Sequence, residues 1–311
     1  MQASILKLST FMALAGASIV GNASADVYGA QFGMGYRQDS IRWDMEESSE
    51  INPRIKSNLH FDDLEIFFLG AKFKGLIGNS FYARLGFDYG WICDGKLRQT
   101  LSVTKRDEVR RFGQTGVVVE GDYDSVTLHD REFGNNYVWD LNIGFGMPFN
   151  CFCEGFQVAP MIGFSYNRQH LKYRNSGNVR VHVSGENADL LPSSDHRNVH
   201  STFNTGWWGP MVGLDLTYVS PECWSVFGEC EFHFGRVERD RSSACGVKFF
   251  DKYKRTKDFW GTSWRAGFNY IICQDLYVES VVSYSRWMSH YSKDHLDWSS
   301  ASIRVDLGYL F

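Results

Sequence analysis

The chain has 311 residues, with 32 Lys and Arg against 36 Asp and Glu, and its mildly acidic balance argues against nucleic acid as a partner. No segment after the N-terminal region contains the ~20 consecutive apolar residues that a membrane helix needs. The mean hydropathy of −0.30 is compatible with a secreted β-protein and with a membrane β-barrel, because barrel strands are polar at every second residue.

The N-terminal residues have the pattern of a secretory signal peptide. Lys7 supplies a positive charge, Phe11 to Val20 form a short apolar run, and Ala23-Ser24-Ala25 is a small-residue cleavage site. We therefore expect a signal peptide over residues 1–25. The remaining residues 26–311 are predicted to form a single domain.

The exported part repeats one pattern, an alternation of large apolar with small or polar residues that is typical of β-strands. In the last stretch, Ser299 to Phe311, the residues from Ala301 to Phe311 alternate in this way and the chain ends on an aromatic residue. This pattern suits a strand that faces lipid on one side and a polar lumen on the other. The predicted strands are Val27–Arg37, Leu59–Phe73, Phe81–Asp94, Tyr137–Met147, Phe156–Asn167, Phe203–Tyr218, Trp224–Gly235, Trp260–Ile272, Leu276–Arg286 and Ser299–Phe311.

The connections between these strands alternate in length. Those after odd-numbered strands are long and polar, and those after even-numbered strands are short. This asymmetry predicts an all-β, transmembrane, antiparallel up-and-down barrel of about ten strands in the bacterial outer membrane, with five long extracellular loops and both termini in the periplasm. Most tryptophans then fall near the outer end, where we expect an interfacial aromatic belt: Trp91, Trp139, Trp207, Trp208, Trp260, Trp264, Trp287 and Trp298.

The inward positions of these strands carry charges of both signs. A barrel of this size is narrow, since barrels of ~8 strands are filled by side chains and aqueous channels appear at ~16–18 strands. Opposite charges in such a space should form ion pairs, so we favour a plugged structural interior over an open, lined pore. The predicted lumen-lining residues are Arg84, Asp88, Asp140, Asp215, Glu229, Glu231, Arg265, Arg304 and Asp306.

The segment Asp122-Tyr123-Asp124 precedes the strand that begins at Tyr137, and this part of the chain resembles the omptins, the ten-stranded outer-membrane proteases. That resemblance implies a catalytic alternative in which Asp122 and Asp124 act with an Asp-x-His dyad after the seventh strand. Here the corresponding segment reads Val-Glu-Arg-Asp-Arg-Ser over residues 237–242, with no histidine to accept a proton. We therefore favour an omptin-like architecture without the proteolytic chemistry.

The chain has seven cysteines, an unusual number for an outer-membrane barrel. Cys151, Cys153, Cys223 and Cys273 fall in or beside the short turns, where an oxidising compartment favours disulfides between turns or to neighbouring envelope proteins. This usage resembles the cross-linked envelopes of chlamydia-like bacteria, and the chain as a whole resembles the outer-membrane proteins of the Protochlamydia group. Reduced, incidental thiols are the alternative.

The sequence predicts an integral outer-membrane protein with a structural or porin-like, limited-permeability role in the cell envelope. The alternatives are an omptin-like endopeptidase and an adhesin or receptor that acts through the outer loops. The expected partners are outer-membrane lipid and disulfide-linked envelope proteins. We expect no cofactor and no metal, because the loop histidines, among them His290 and His295, are read as solvated.

Overall fold

The computed structural model describes residues 27–47, 54–77, 80–104, 118–127, 136–150, 155–175, 179–184, 199–243, 253–273, 275–291 and 294–311. The predicted signal peptide, Cys151, Cys153 and Cys245 lie outside the described residues. Among the described residues, no helix is long and apolar enough to cross a membrane.

The described residues form β-strands that belong to one sheet. The strands are β1 (Val27–Glu47), β2 (Arg54–Ile77), β3 (Phe81–Thr104), β4 (Val118–Thr127), β5 (Tyr137–Gly146), β6 (Phe149–Asn150), β7 (Phe156–Asn175), β8 (Val179–Ser184), β9 (Val199–Val219), β10 (Trp224–Ser243), β11 (Tyr253–Ile271), β12 (Leu276–Tyr291) and β13 (Asp294–Leu310).

The sheet closes into a ten-stranded antiparallel barrel, which confirms the predicted fold. The order around the barrel is β1, β2, β3, β5, β7, β9, β10, β11, β12 and β13, and β13 pairs with β1 to complete the circle. The short β6 also pairs with β7. Closure satisfies the backbone N–H and C=O groups between strands, which a structure surrounded by lipid requires.

Two further strands extend the sheet at the end of the barrel away from the chain termini, which we name the outer end after the predicted topology, in segments predicted to be loops. β4 pairs with the outer part of β3 over Lys96 to Val103, and β8 pairs with β4. These segments lie outside the barrel wall, and their charged composition is the reason why they are predicted to be loops. The barrel strands themselves are also longer than predicted, and β1 continues to Glu47.

The direction in which apolar side chains point reverses along the strands. In β1, Phe32 and Met34 are exposed on the outside, whereas Ile41 and Trp43 are buried inside. The first pair faces lipid and the second lies beyond the lipid, where water surrounds the barrel and apolar side chains must turn inward. The barrel therefore protrudes past the membrane as a sheet with its own core.

This protruding part is filled by an outer apolar core. Its members come from most of the barrel strands, and several of them are aromatic rings in contact, such as Trp207 with Phe259 at 5.3 Å between centroids. The outer apolar core consists of Ile41, Trp43, Met45, Leu59, Phe61, Leu64, Leu97, Leu171, Phe203, Trp207, Val237, Phe259, Trp287, Leu296 and Trp298.

Three of the tryptophans assigned to an interfacial belt belong to this core, so that assignment is wrong for them. Trp207, Trp287 and Trp298 are at most 5% exposed and point into the barrel. Trp208 and Trp260, in contrast, are exposed on the outside. The three residues lie at the height expected for a belt, but their side chains point into the barrel and not towards the lipid.

In β2 a bulge produces this reversal, while the strand stays paired with β1 and β3 on both sides of the bulge. The pairing of β2 with β3 shifts between Asp62 and Glu65, and Asp63 has a positive φ of 52°. One extra residue in β2 changes which side of the strand faces inward, so that Phe61 and Leu64 are both buried. Aspartate is one of the few non-glycine residues that tolerates this backbone conformation.

Candidate functional site

The candidate site is the polar part of the lumen, which lies below the outer apolar core at the depth of the lipid-facing belt. All nine predicted lumen-lining residues take part in ion pairs between strands. The alternation that predicts a strand thus also gives the face of each charged residue. What the alternation leaves open is which charges meet across the barrel.

One cluster centres on Arg84 and Arg265. Arg84 Nη1 lies 3.0 Å from Glu229 and 3.2 Å from Asp215, and Arg84 Nη2 pairs with Glu231. Arg265 Nη1 lies 2.5 Å from Glu229 and 3.1 Å from Glu231. Two guanidinium groups thus hold three carboxylates that come from neighbouring strands, and this cluster crosses the lumen from β3 to β11.

A second cluster surrounds Arg304 on β13. Arg304 Nε donates to Asp306 at 2.5 Å, and Arg304 Nη1 donates to Asp88 on β3. Lys72 Nζ donates to Asp306 at 3.2 Å and to Glu279 at 3.0 Å. Lysine and arginine thus share one carboxylate, and the cluster ties β2, β3, β12 and β13 together across the lumen.

A third cluster lies directly under the outer apolar core. Arg37 forms a bidentate pair with Asp39, with both N–O distances at 2.6 Å, and its Nη1 donates to Asp140 at 2.5 Å. Trp298 Nε1 and Gln169 Nε2 also donate to Asp39, at 3.0 and 2.8 Å. This fully buried carboxylate accepts four hydrogen bonds, as a buried charge requires.

Sequence reasoning missed several members of these clusters, namely Arg37, Asp39, Lys72, Lys74 and Glu279. Of these, Lys74 Nζ lies 3.9 Å from Glu229 and 3.8 Å from Glu279. Most share the parity of neighbouring inward residues on their own strand. Lys72, for example, alternates with the lipid-facing Phe73, and Glu279 alternates with Ser280. Parity is therefore the signal that could have found them.

Ser165, His233 and Glu231 lie in a row beside these clusters, and Ser165 and His233 are joined by a hydrogen bond. Ser165 Oγ lies 2.9 Å from His233 Nδ1, and His233 Nε2 lies 3.1 Å from Glu231 Oε2. The three residue types match those of a nucleophile, a base and an acid. Ser165 and His233 are only 3% and 1% exposed, however, so a substrate cannot reach them. The backbone N–H groups of barrel strands are hydrogen-bonded to the neighbouring strands, so they are unavailable to stabilise an oxyanion. We interpret the row as a structural polar network.

A cavity of about 160 Å³ extends among the charge clusters, where Arg84 and Arg265 line it, and reaches Trp287 and Trp298 of the outer apolar core. Most of its lining residues are polar, and they include Ser165, Ser285 and Ser302. A polar cavity of this size can hold several water molecules. Towards the opposite end of the barrel, Leu76, Tyr82, Tyr277 and Leu310 are buried.

The omptin-like alternative depends on two places at the outer end. Asp122 and Asp124 lie on β4, and their side chains are outside the described part of the chain. The place of the Asp-x-His partner lies on β10, where Arg239 and Arg241 are buried and point inward. Arg239 Nη1 lies 2.5 Å from Asp294. Arginine stays protonated and cannot act as a general base.

The described cysteines are all free, namely Cys93, Cys223, Cys230 and Cys273. Cys223 lies in the turn between β9 and β10, and Cys273 lies in the turn between β11 and β12. Both are exposed, and their turns are neighbours, since Ile271 N donates to the carbonyl of Cys223 at 2.9 Å. No disulfide joins cysteines within the described residues.

Comparison with known proteins gives a family and a fold. The family model for the Protochlamydia outer membrane protein matches residues 31–311. No curated protein matches the chain. Among solved structures, the outer membrane protease OmpT from Escherichia coli is similar, with a TM-score of 0.60 and 10% identity, covering 94% of this chain and 99% of that chain. Ail of Yersinia pestis aligns with a TM-score of 0.31 and 10% identity over 91% of this chain and 99% of its own.

Proposed function

The chain belongs to the Protochlamydia outer membrane protein family, and from this premise we propose that it is a structural protein of the bacterial outer membrane whose lumen is closed. The observation that supports the proposal most is the filling of the interior in two successive layers. Charged clusters cross the lumen at the depth of the lipid, and the outer apolar core lies above them. A solute would have to displace both layers to pass.

The energetics of the two layers favour a closed state. Separating a buried ion pair leaves at least one charge without a partner, which costs about 3–5 kcal/mol. The members of the outer apolar core are uncharged and include Trp207, Phe61 and Phe203 at 0% exposure. The charged groups that contact this core are themselves paired, since Arg239, which lies over Trp43, forms an ion pair with Asp294. Fluctuations of single side chains therefore do not open a path for a sugar or an amino acid.

Liposome swelling tests this proposal. Vesicles with the refolded mature barrel, checked for folding by its mobility in an unheated gel, are diluted into arabinose, and vesicles with a wide porin serve as the positive control. We expect the barrel vesicles to match empty vesicles. Swelling that slows with increasing sugar size would contradict a closed lumen.

Limited permeability is the second candidate, and the cavity of about 160 Å³ supports it. Arg265 and Asp88 keep side-chain exposures of 27% and 31% beside this cavity, so water can reach their ion pairs. In this case ions and water would pass while sugars would not. A proton or ion flux without sugar uptake, altered in Arg265→Gln, would support this candidate over the structural one.

We also propose that the exposed thiols in the short turns, at the end of the barrel opposite the outer end, link the barrel to neighbouring envelope proteins. Cys223 and Cys273 are exposed on adjacent turns, and this end would face the oxidising periplasm. Non-reducing gels of envelopes should show a high-mass species that disappears when Cys223 and Cys273 become Ser. The matched control is Cys230→Ser on the lipid-facing side of β10. A monomer in the parent protein would end this proposal.

A further inference from the structure

A group of histidines lies on the outside of the barrel beyond the lipid-facing belt. His290 on β12 and His295 on β13 are directly paired across the two strands. Asp44 on β1 is paired with His295 from the other side. All three point outward, and His60 of β2 lies next to Asp44. None of them takes part in the lumen clusters or the outer apolar core.

The two imidazole rings are in close contact. Their centroids are 4.0 Å apart and the ring planes are inclined by 37°. They sit at the end of the pairing between β12 and β13, with Tyr291 paired with Asp294 next to them. Nitrogen atoms from both rings can therefore reach one point in space after only small rotations about the side-chain bonds.

The hydrogen bonding of this pair differs from that of a satisfied surface histidine. His170, another outward histidine, has its Nδ1 next to Asn204 and stacks on Tyr137. In the described part of the chain, His295 Nδ1 is buried from water and has no hydrogen-bond partner. A buried nitrogen without a partner is costly, and a ligand that engages it would remove that cost.

The protonation state also suits a ligand. Partial burial lowers the pKa of His295, and neighbouring His290 lowers it further, because two adjacent positive rings repel each other. This shift favours the neutral form of His295, which is the form that binds metal.

We propose that His290 and His295 form a chelating pair for a borderline divalent transition-metal ion such as Zn²⁺, with Asp44 as a third ligand. Imidazole nitrogens select ions of this class over Ca²⁺ and Mg²⁺, which prefer oxygen ligands. Water would fill the remaining positions, because His290 is exposed.

Asp44 joins the site only after a rotation. No group of three potential ligands already converges among the described residues, and Asp44 Oδ2 lies 3.1 Å from Arg42 Nε. The carboxylate must exchange this exposed ion pair for the metal. Exposed pairs contribute little to stability, so the exchange is feasible, but the two histidines supply most of the affinity.

Equilibrium binding of Zn²⁺ alone to the refolded mature barrel tests this site. The variants are His290→Ala, His295→Ala and their combination, and His170→Ala is the matched control at another outward histidine. Each protein is checked for the folded, heat-modifiable form, and Mg²⁺ is titrated in parallel. All substituted side chains point away from the barrel interior, so the variants should fold.

The parent and His170→Ala should bind one Zn²⁺ with the same affinity. Each single substitution should weaken binding at least tenfold, Asp44→Asn should weaken it several-fold, and the double variant should lose the site. Mg²⁺ should not compete. Absence of Zn²⁺ binding by the parent, or undiminished binding by the double variant, would overturn the proposal.

Discussion

The most informative perturbation of the lumen is Arg84→Met, which removes the charged guanidinium group while keeping an unbranched, flexible side chain. Arg84 is 6% exposed and contacts Asp215, Glu229 and Glu231, so its loss leaves three buried carboxylates with Arg265 and the more distant Lys74 as counter-charges. Removing one partner of a buried ion pair costs about 3–5 kcal/mol. With a slope of about 2 kcal/mol per M of urea, the unfolding midpoint should fall by about 2 M.

The assay is equilibrium unfolding of the barrel in lipid vesicles, followed by tryptophan fluorescence and by gel mobility without heating. Glu231→Gln and the double variant complete a thermodynamic cycle. If Arg84 neutralises Glu231, the second substitution should cost at least ~1 kcal/mol less in the Arg84→Met background than in the parent. A change below about 0.5 kcal/mol for Arg84→Met would refute the argument, because an unpaired buried charge cannot be that cheap.

Three further predictions address the core, the bulge and the orientation. Trp207→Ala should lower the free energy of unfolding by about 3–5 kcal/mol, and lipid-belt Trp208→Ala should cost clearly less in the same urea titration, since Trp207 is 0% and Trp208 39% exposed; equal costs would contradict the reversal of the apolar face. Asp63→Val should lower the unfolding midpoint and Asp63→Asn should not, because φ is 52° at this position and asparagine tolerates a positive φ that a β-branched residue does not. Equal midpoints for the two variants would contradict this argument. In intact cells an impermeant maleimide should label Cys93 but reach Cys223 only after permeabilisation, and the reverse order would invert the proposed topology.

The fold was predictable in the part of the barrel that faces lipid. There the alternation has a large amplitude, as in Phe81 to Trp91, because lipid selects apolar residues on one side and the narrow lumen selects small or charged ones on the other. The ten-stranded architecture follows from the repetition of this pattern and from the alternation of long and short connections, whereas the resemblance to the family rests on the cysteines and the general character of the chain.

The outer end was less predictable because alternation gives two faces without saying which one faces inward. Trp298 has the parity of the inward Arg304 and Asp306, and Trp207 has the parity of Asp215. Counting parity beyond the apolar belt would have placed both inside the barrel. Their assignment to a belt relied on height alone, which is the same for the two sides of a strand.

The partners within the lumen could not be predicted from sequence at all. Arg304 meets Asp88, which lies 216 positions earlier in the chain, and Lys72 meets Glu279, 207 positions away. Such pairs depend on the stagger of the strands around the closed barrel. A shift of the register by two residues would keep every face and change every partner.

The central claim is that the interior is closed, and the single-channel conductance of the refolded mature barrel in a planar bilayer tests it most directly. Insertion is verified independently by protease protection and by the heat-modifiable gel mobility of the recovered protein. The account predicts a silent membrane with the parent barrel inserted. Steady, reproducible conductance steps that change in Arg84→Met or Arg265→Gln would contradict it, because they would require an open path past the charge clusters and the outer apolar core.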